Sequence, residues 1–285
     1  MLRACFSAVA VGYLFCSSAS ALPTVASINL CTDQLVLNVA APEQILSLSW
    51  LSADAEESML AAEAAQHELN YGNAEEIIRL QPDVVIAGRY TSLFTKTLLR
   101  RLGYPVVEIA TATSIADIEA NLLSVGEAIG QSGKAAQAAA KMRERAQMLA
   151  YSGGDQSLSA LVIRPGGFTI NRDSLANELL QMAGLNNAGA MLGLDEWGSL
   201  SVETLLKANP QVIVVTEYRL ESASVANAFL KHPAIAAVKN HAQLIALHVR
   251  HWACGTPQSL DSVDRILTAL TQSADPVKAF ASDPR

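Results

Sequence analysis

One stretch of sequence occurs twice in this chain of 285 residues, and it strongly limits the folds open to the chain. Residues 75–86 read EEIIRLQPDVVI and residues 203–214 read ETLLKANPQVIV, and the two align without a gap at an offset of 128 residues (203 − 75). Each copy begins with a helical pattern, reaches a proline that cannot continue the helix, and ends in an apolar run typical of a buried strand. The repeat predicts two similar α/β lobes.

Strand and helix patterns alternate, with short connections, on both sides of a helical stretch. The first strand is expected over residues 25–30, followed by a helix over 32–40 with Thr32 or Asp33 as its cap. Such alternation is typical of parallel sheets, so we predict the α/β class with mostly parallel sheets. A ligand cleft is expected between the lobes, because small-molecule sites concentrate at domain interfaces. The predicted bounds are 22–130 for the first lobe, 131–156 for a bridging helix and 157–285 for the second lobe.

The first 21 residues have the pattern of a cleaved secretory signal. Arg3 supplies a positive charge, an apolar run follows, and residues 19–21 read Ala-Ser-Ala, which suits a signal peptidase. The apolar run is too short for a stable membrane span. Cys16 leaves a lipoprotein open as an alternative, although Phe15 precedes it where lipoprotein signals carry a small residue. The pattern predicts export to the periplasm.

Composition and missing motifs argue against two classes of function. The chain has 27 acidic residues against 20 basic ones, which disfavours a sequence-independent grip on nucleic acid. It has no Gly-x-Ser-x-Gly elbow, dinucleotide-binding fingerprint or phosphate-binding lysine loop. We therefore expect no enzyme and no cofactor, with a hydrolase built from scattered residues as the least favoured alternative.

Two cysteines remain after removal of the predicted signal, one near each end of the chain. An oxidising compartment favours a disulfide between Cys31 and Cys254. Two buried thiols, or thiolate ligands of a soft metal, are the alternatives.

Several motifs, in this order and spacing, resemble one known family. They are VASINL at 25–30, GNAEEII at 72–78 with QPDVV at 81–85, Gly103 and Pro105, and LSVE at 200–203 with PQVIV at 210–214. Over residues 22–272 the chain resembles a periplasmic substrate-binding protein of an ABC importer. The resemblance is to the class whose lobes are bridged by one long rigid helix and which serves ferric siderophores and vitamin B12.

The resemblance implies how the protein works and with which partners. In that family a glutamate on each lobe docks into arginine pockets of the inner-membrane permease, and the matching positions here are Glu75 and Glu203. A carboxylate near a helix start is favoured by the helix dipole, and it can pair with arginine bidentately. The resemblance implies a small-molecule metal chelate as ligand and a monomeric receptor.

Side chains that follow predicted strands, or precede the repeated helices, are expected to line the cleft. In the vitamin B12-binding members, aromatic residues lie at positions similar to Trp50, Phe168 and Trp197. Arg164 and Arg172 are further arginines near loops, and a cleft arginine suits a ligand with carboxylate or hydroxamate oxygens. The aromatic residues favour cobalamin and the arginines favour a ferric chelate, so both ligand classes remain open. The full predicted ligand-binding set is Trp50, Tyr71, Arg89, Tyr90, Phe168, Trp197, Arg250 and Trp252.

Histidines raise the alternative of direct zinc or manganese binding. His241, His248 and His251 lie in the second lobe, whereas the first lobe offers only His67. A site for a bare ion in this kind of receptor takes three or four ligands from both lobes, so this alternative is less favoured than a chelate.

Overall fold

The computed structural model describes residues 21–153, 158–164, 166–192, 200–217, 233 and 242–272. The proposed signal therefore lies almost wholly outside the described residues, and so do Trp197 and His241. No helix in the described ranges combines the length and hydropathy needed to cross a membrane.

The N-terminal lobe is built on a sheet of five parallel strands, in the order β3-β2-β1-β4-β5. The strands are β1 (Val25–Ser27), β2 (Ile45–Ser49), β3 (Leu69–Asn70), β4 (Val84–Gly88) and β5 (Val106–Ile109). The helices are α1 (Leu30–Val39), α2 (Ala61–Ala64), α3 (Ala74–Leu80), α4 (Leu93–Arg101) and α5 (Ile115–Ala128).

The C-terminal lobe repeats this arrangement with four parallel strands, in the order β7-β6-β8-β9. The strands are β6 (Leu158–Ile163), β7 (Leu185–Asn187), β8 (Val212–Glu217) and β9 (Gln243–His248). The described helices are α7 (Leu175–Met182), α8 (Ala188–Met191), α9 (Val202–Ala208) and α10 (Asp261–Thr271). Two parallel α/β layers confirm the predicted fold class.

The long helix α6 (Ser132–Gly153), which has 22 residues, follows the last helix of the N-terminal lobe and precedes the first strand of the C-terminal lobe. At 1.5 Å per residue it is about 33 Å long, comparable with the diameter of a small domain. Its inner face buries Ala135, Ala139, Met142, Ala146 and Leu149. These side chains join one hydrophobic cluster that also contains side chains from the sheets of both lobes. The helix therefore shares its packing with both lobes.

The repeat seen in the sequence has the same offset in the structure. Helices α3 and α9 each have seven residues, and the residue after each one, Gln81 or Asn209, adopts left-handed backbone angles. Strands β4 and β8 begin at Val84 and Val212, again 128 residues apart (212 − 84). Alternate residues of both strands point to opposite faces of their sheets, as strand geometry requires. Each lobe therefore buries both faces of its sheet.

The start of α1 differs from the prediction. Strand β1 ends at Ser27 and the helix begins at Leu30, because the Asn29 side chain accepts a hydrogen bond from the Cys31 N–H and caps the helix there. Neither Thr32 nor Asp33 is the cap. Asp33 lies instead in the first turn, where it is fully buried.

Candidate functional site

The carboxyl ends of both parallel sheets border a cleft between the lobes. A cavity of about 340 Å³ in this cleft is lined by residues that follow β1, β4 and β5 on one side and β6 and β9 on the other. In each sheet the strand order reverses direction beside the first strand, at β1/β4 and at β6/β8. Ligands of open α/β sheets bind outside the carboxyl ends at such switch points. The cleft is therefore the candidate site.

Residues after β1 and β4 form the N-terminal wall of the cavity. Asn29, Gly88, Arg89 and Tyr90 line it. Gly88 leaves room for Asn29, since a Cβ at position 88 would lie 2.9 Å from the Asn29 Cγ. The buried Lys96 donates to the Arg89 carbonyl oxygen at 3.0 Å, which fixes the backbone at the base of this arginine.

Residues after β6 form the C-terminal wall. The Arg164 N–H donates to the Phe168 carbonyl oxygen at 2.8 Å, which closes a tight turn over two glycines with positive φ, Gly166 and Gly167. The chain then runs along the cavity, which Arg164, Thr169, Ile170 and Asn171 line. Asn187, at the end of β7, donates to the carbonyl oxygens of residues 170 and 171 from behind. This wall is thus held by side-chain hydrogen bonds within its own lobe.

Polar groups of the C-terminal wall are less completely paired than those of a typical protein interior. Burial lowers the pKa of Arg164 below its ordinary value, and among the described residues its guanidinium has no hydrogen-bond or ion-pair partner. The Thr169 Oγ1 and Asn171 Oδ1 atoms are buried and also lack a partner within the described ranges. The wall therefore offers hydrogen-bonding groups that nothing in the described chain uses.

A disulfide crosses from one lobe to the other beside this cavity. Cys31, in the first turn of α1, is bonded to Cys254, which follows β9, across 223 positions of sequence. Cys31, Ala253 and Gly255 all line the cavity, so the bond forms part of the cleft wall. The predicted disulfide is present.

Further contacts join the lobes beyond the disulfide. The Arg250 guanidinium donates to the Ala55 carbonyl oxygen at 2.6 Å, and the His248 Nε2 lies 3.1 Å from a Glu56 carboxylate oxygen. The His248 Nδ1 accepts from the Arg250 N–H at 3.3 Å, which leaves the proton on Nε2 to face Glu56. Arg250, predicted to contact ligand, thus makes an inter-lobe hydrogen bond and is absent from the cavity lining.

The predicted aromatic residues occupy two kinds of position. Trp252 and Tyr90 line the cavity, Trp252 half-buried and Tyr90 81% exposed. Trp50 and Tyr71 pack together with ring centroids 6.1 Å apart. These two rings follow β2 and β3, at the same carboxyl edge but outside the residues that line the cavity. Phe168 is exposed beside Arg164, also outside the lining.

The two glutamates of the repeat are placed alike. Glu75 and Glu203 are each the second residue of a seven-residue helix, and both are exposed. Hydrogen bonds from its own backbone N–H and from the Ser201 side chain hold the pKa of Glu203 below its usual value. Next to Glu75, the Glu76 carboxylate accepts from the Tyr71 and Asn73 N–H groups and completes a capping box. The cap function therefore belongs to Glu76, and it leaves the Glu75 carboxylate free of that task.

Besides Lys96, two buried side chains near the cleft, Asp33 in the N-terminal lobe and His251 in the C-terminal lobe, have strongly shifted pKa values. Burial raises the pKa of Asp33 to about 7, against hydrogen bonds from Ser49 that lower it. Burial lowers the pKa of His251 to about 3, helped by the charges of Arg265 and Arg250, and neither ring nitrogen has a partner in the described chain. Among the described residues, no group of three or more His, Cys, Asp or Glu side chains could hold a metal ion.

The sequence profile of the periplasmic binding protein family matches residues 25–247. The chain belongs to this family. The resemblance inferred from the sequence is thus confirmed, and the family is a class of transport binding proteins that function outside the cytoplasm.

The individual relatives match only about half of this chain, and at low sequence identity. The chain is 26% identical over 155 residues to an uncharacterized ABC transporter substrate-binding lipoprotein of Bacillus subtilis, covering 51% of this chain and 49% of the relative. It is 28% identical over 160 residues to a cobalamin-binding protein of Halobacterium salinarum, covering 54% and 43% respectively. The chain thus spans about half the length, or less, of the curated relatives that it matches.

The fold itself is shared with solved structures over almost the whole length. The apo form of a periplasmic heme-binding protein from Roseiflexus superposes with a TM-score of 0.73 at 20% identity. The match covers 87% of this chain and 98% of the other. At this identity the likeness concerns the fold, and the ligand must be argued from this chain's own cleft.

Sequence reasoning missed part of the cavity lining. Asn29, Thr169 and Asn171 line the cleft, yet none of them was predicted to do so. Asn29 carried a usable signal, because an asparagine directly before an apolar helical pattern is a typical cap. Thr169 and Asn171 are ordinary loop residues that only the turn after β6 brings to the cavity.

Proposed function

We propose that the protein is the solute-binding component of an ABC importer, which captures a metal chelate between its lobes and delivers it to an inner-membrane permease. The ligand class is a ferric siderophore, another iron complex or a cobalamin-type corrinoid. The observation that carries this proposal is the cavity enclosed by the carboxyl edges of two parallel sheets, in a chain of the periplasmic binding protein family. The binding named for its relatives, cobalamin and heme, belongs to the same chemical class.

The proposed mechanism is capture without chemistry. The cavity, about 340 Å³, is at the lower end of the roughly 300–1,000 Å³ range of small-molecule sites. A larger chelate would therefore extend beyond the cavity. Exposed aromatic side chains that follow strands at the carboxyl edges, Tyr90, Phe168 and the Trp50–Tyr71 pair, are proposed to contact this part of it. The Cys31–Cys254 bond and the inter-lobe contacts of Arg250 and His248 limit the separation of the lobes. The mature receptor is proposed to be a monomer over residues 22–285, exported by a cleaved signal and without enzymatic activity.

A titration of tryptophan fluorescence tests the ligand class. Purified mature protein is titrated with cyanocobalamin, a ferric hydroxamate and ferric citrate, with correction for inner-filter absorption. Because Trp252 lines the cavity, we expect saturable quenching by at least one chelate at submicromolar concentration. Silence with all three, or turnover of a panel of chromogenic esters, would contradict the proposal.

Glu75 and Glu203 are proposed as the docking contacts with the permease. Both carboxylates are exposed at matched helix starts, from which they can pair with arginines of a partner. Glu75→Ala with Glu203→Ala should abolish chelate uptake in whole cells and leave the ligand affinity of the purified protein unchanged.

A control of equal charge change separates docking from general electrostatics. Glu127→Ala with Glu144→Ala removes two exposed carboxylates from α5 and α6, away from the repeated helices. We expect normal uptake with this control. If the Glu75/Glu203 double variant loses affinity for the chelate, the docking assignment is wrong.

A further inference from the structure

Three arginines of the described chain are half-buried, Arg145, Arg164 and Arg250, and Arg164 is the one of these three whose side chain has no partner there. Exposed arginines such as Arg89 and Arg172 also lack a side-chain partner in the described ranges, but water solvates their charge. The side chain of Arg145 forms ion pairs, and that of Arg250 donates to a carbonyl oxygen. Arg164 is half-buried at the end of β6, lines the cavity and has no such partner in the described ranges. Desolvating an unpaired charge is costly, so this position calls for an anion that arrives with the ligand.

The charged side chains that line the cavity with Arg164 do not neutralise its guanidinium, which is free to bind an anion. Asp173 is the one carboxylate that lines the cavity among the described residues, and it is exposed and forms no ion pair with Arg164. Across the cleft, the same cavity is lined by a second arginine, Arg89, from the opposite lobe. The cavity therefore carries an excess of positive side chains, although the chain as a whole has a net charge of −7.

Helix N-termini from the two lobes add to the positive electrostatic potential of the cavity. The caps of α1 and α7, Asn29 and Ser174, line the cavity together with first-turn residues of both helices. The N-terminal end of a helix carries a partial positive charge and favours a nearby anion. These dipoles favour an anionic ligand but do not by themselves form a binding site. The specific contact comes from the unpaired Arg164 side chain.

We infer that Arg164 binds an anionic oxygen group of the ligand, and that the protein consequently selects anionic, oxygen-rich chelates over a neutral macrocycle. This inference rests on the proposed function and narrows it. A guanidinium matches the geometry of a carboxylate or of paired chelate oxygens bidentately. A neutral ligand that filled the cleft could offer uncharged acceptors to the guanidinium but no negative charge to balance it.

Three substitutions separate a specific contact from a general effect of charge. Arg164→Gln removes the charge, and Arg164→Lys keeps the charge but loses the planar fork. Arg172→Gln is the matched control, because Arg172 lies in the loop that follows this wall, is exposed and is absent from the cavity lining. Ferric citrate is the anionic probe, cyanocobalamin the neutral one, and metal-free citrate a competitor. Thermal unfolding of each variant checks that the fold is intact.

With Arg164→Gln we expect the affinity for ferric citrate to fall by about tenfold or more, the loss typical of a charge-assisted hydrogen bond. Arg164→Lys should give an intermediate value and Arg172→Gln the wild-type value. Competition by metal-free citrate that disappears in Arg164→Gln would assign the contact to the anion and not to the iron.

Other outcomes would overturn the inference in distinguishable ways. Equal weakening by Arg164→Gln and Arg172→Gln would reduce the effect to net charge. If the wild type binds cyanocobalamin and none of the other chelates, and Arg164→Gln binds it equally well, the inference is overturned and the proposed function stays in place. Failure of the wild type to bind any of the chelates, the ferric hydroxamate included, would overturn both.

Discussion

The two lobes share a framework and differ where their strands end. Helix, left-handed residue, proline and strand recur at an offset of 128 residues, from Ala74–Leu80 with Val84–Gly88 to Val202–Ala208 with Val212–Glu217. At the carboxyl ends of β4 and β8, however, Gly88 and Arg89 correspond to Thr216 and Glu217. Apolar positions of both strands pack in the core, and of these four residues at the strand ends Gly88 and Arg89 are the two that line the cavity. The repeat therefore specifies the scaffold, and the differences specify the site.

The largest expected effect tests whether the scaffold is energetically equivalent in the two lobes. Ile77 and Leu205 occupy matched positions of the repeat, and both are fully buried. Ile77→Ala and Leu205→Ala should each lower the free energy of unfolding by about 2–5 kcal/mol, because each leaves a cavity in a packed core. Urea unfolding followed by circular dichroism measures the loss. Leu206→Ala, at a neighbouring position that is 50% exposed, is the control and should change stability by less than about 1 kcal/mol. A negligible cost at one position of the matched pair would break the comparison.

A smaller expected effect is the pH dependence of stability, which has opposite signs for one buried group in each lobe. The pKa of Asp33 is about 7 against an ordinary 3.8, so between these values the folded protein holds a proton that the unfolded chain has released. Stability contributed by this group therefore falls as pH rises from about 4 to 7. The pKa of His251 is about 3 against an ordinary 6.5, so stability falls as pH drops through that range. Each slope is at most about 1.4 kcal/mol per pH unit.

Substitutions resolve the two opposing slopes. Relative to wild type, Asp33→Asn should become more stable as pH rises from 4 to 7, and His251→Gln should become more stable as pH falls from 6.5 toward 3. The measurement is the difference in unfolding free energy between each variant and wild type, taken by urea titration at several pH values. If both differences are independent of pH, the two groups do not titrate as inferred.

The smallest effect concerns the left-handed residues that end α3 and α9. Gln81 has φ of 50° and Asn209 has φ of 39°, in a region that asparagine tolerates better than glutamine does. Gln81→Gly should stabilise the protein by up to about 1 kcal/mol, and Asn209→Gly by less. Thermal unfolding at fixed pH measures both changes. A larger gain at Asn209 than at Gln81 would show that the two helix ends are not strained in the way their angles indicate.

Local patterns explain how much of the fold was predictable. The proline after each repeated helix and the apolar run after it are signals within one segment, so β4 and β8 were found. Strands β3 and β7 have two and three residues and depend on pairing with β2 and β6, which leaves almost no pattern in the sequence. The start of α1 was placed too late because Thr32 and Asp33 are also cap-forming types, and only the backbone angles of Asn29 decide among the three.

The candidate site was predictable only as far as strand order allows. Residues directly after strands, such as Arg89 and Tyr90, were placed at the cleft because parallel strands share a carboxyl edge. The hydrogen bond that holds Arg250 to Ala55 joins residues 195 positions apart, which no local pattern encodes. The pairing state of Arg164 is likewise a three-dimensional property, so the sequence identified it only as one arginine among several.

The Cys31–Cys254 bond turns most of the chain into a ring. Residues 31–254 form one covalent macrocycle that contains the greater part of both lobes and all of α6, and only the two ends of the chain lie outside it. A single cut of the backbone anywhere within this ring opens it but releases no fragment, because the two halves stay joined through sulfur. Outside the cytoplasm, where proteases can reach it, the protein can therefore be nicked once and still keep both walls of its cleft on one molecule.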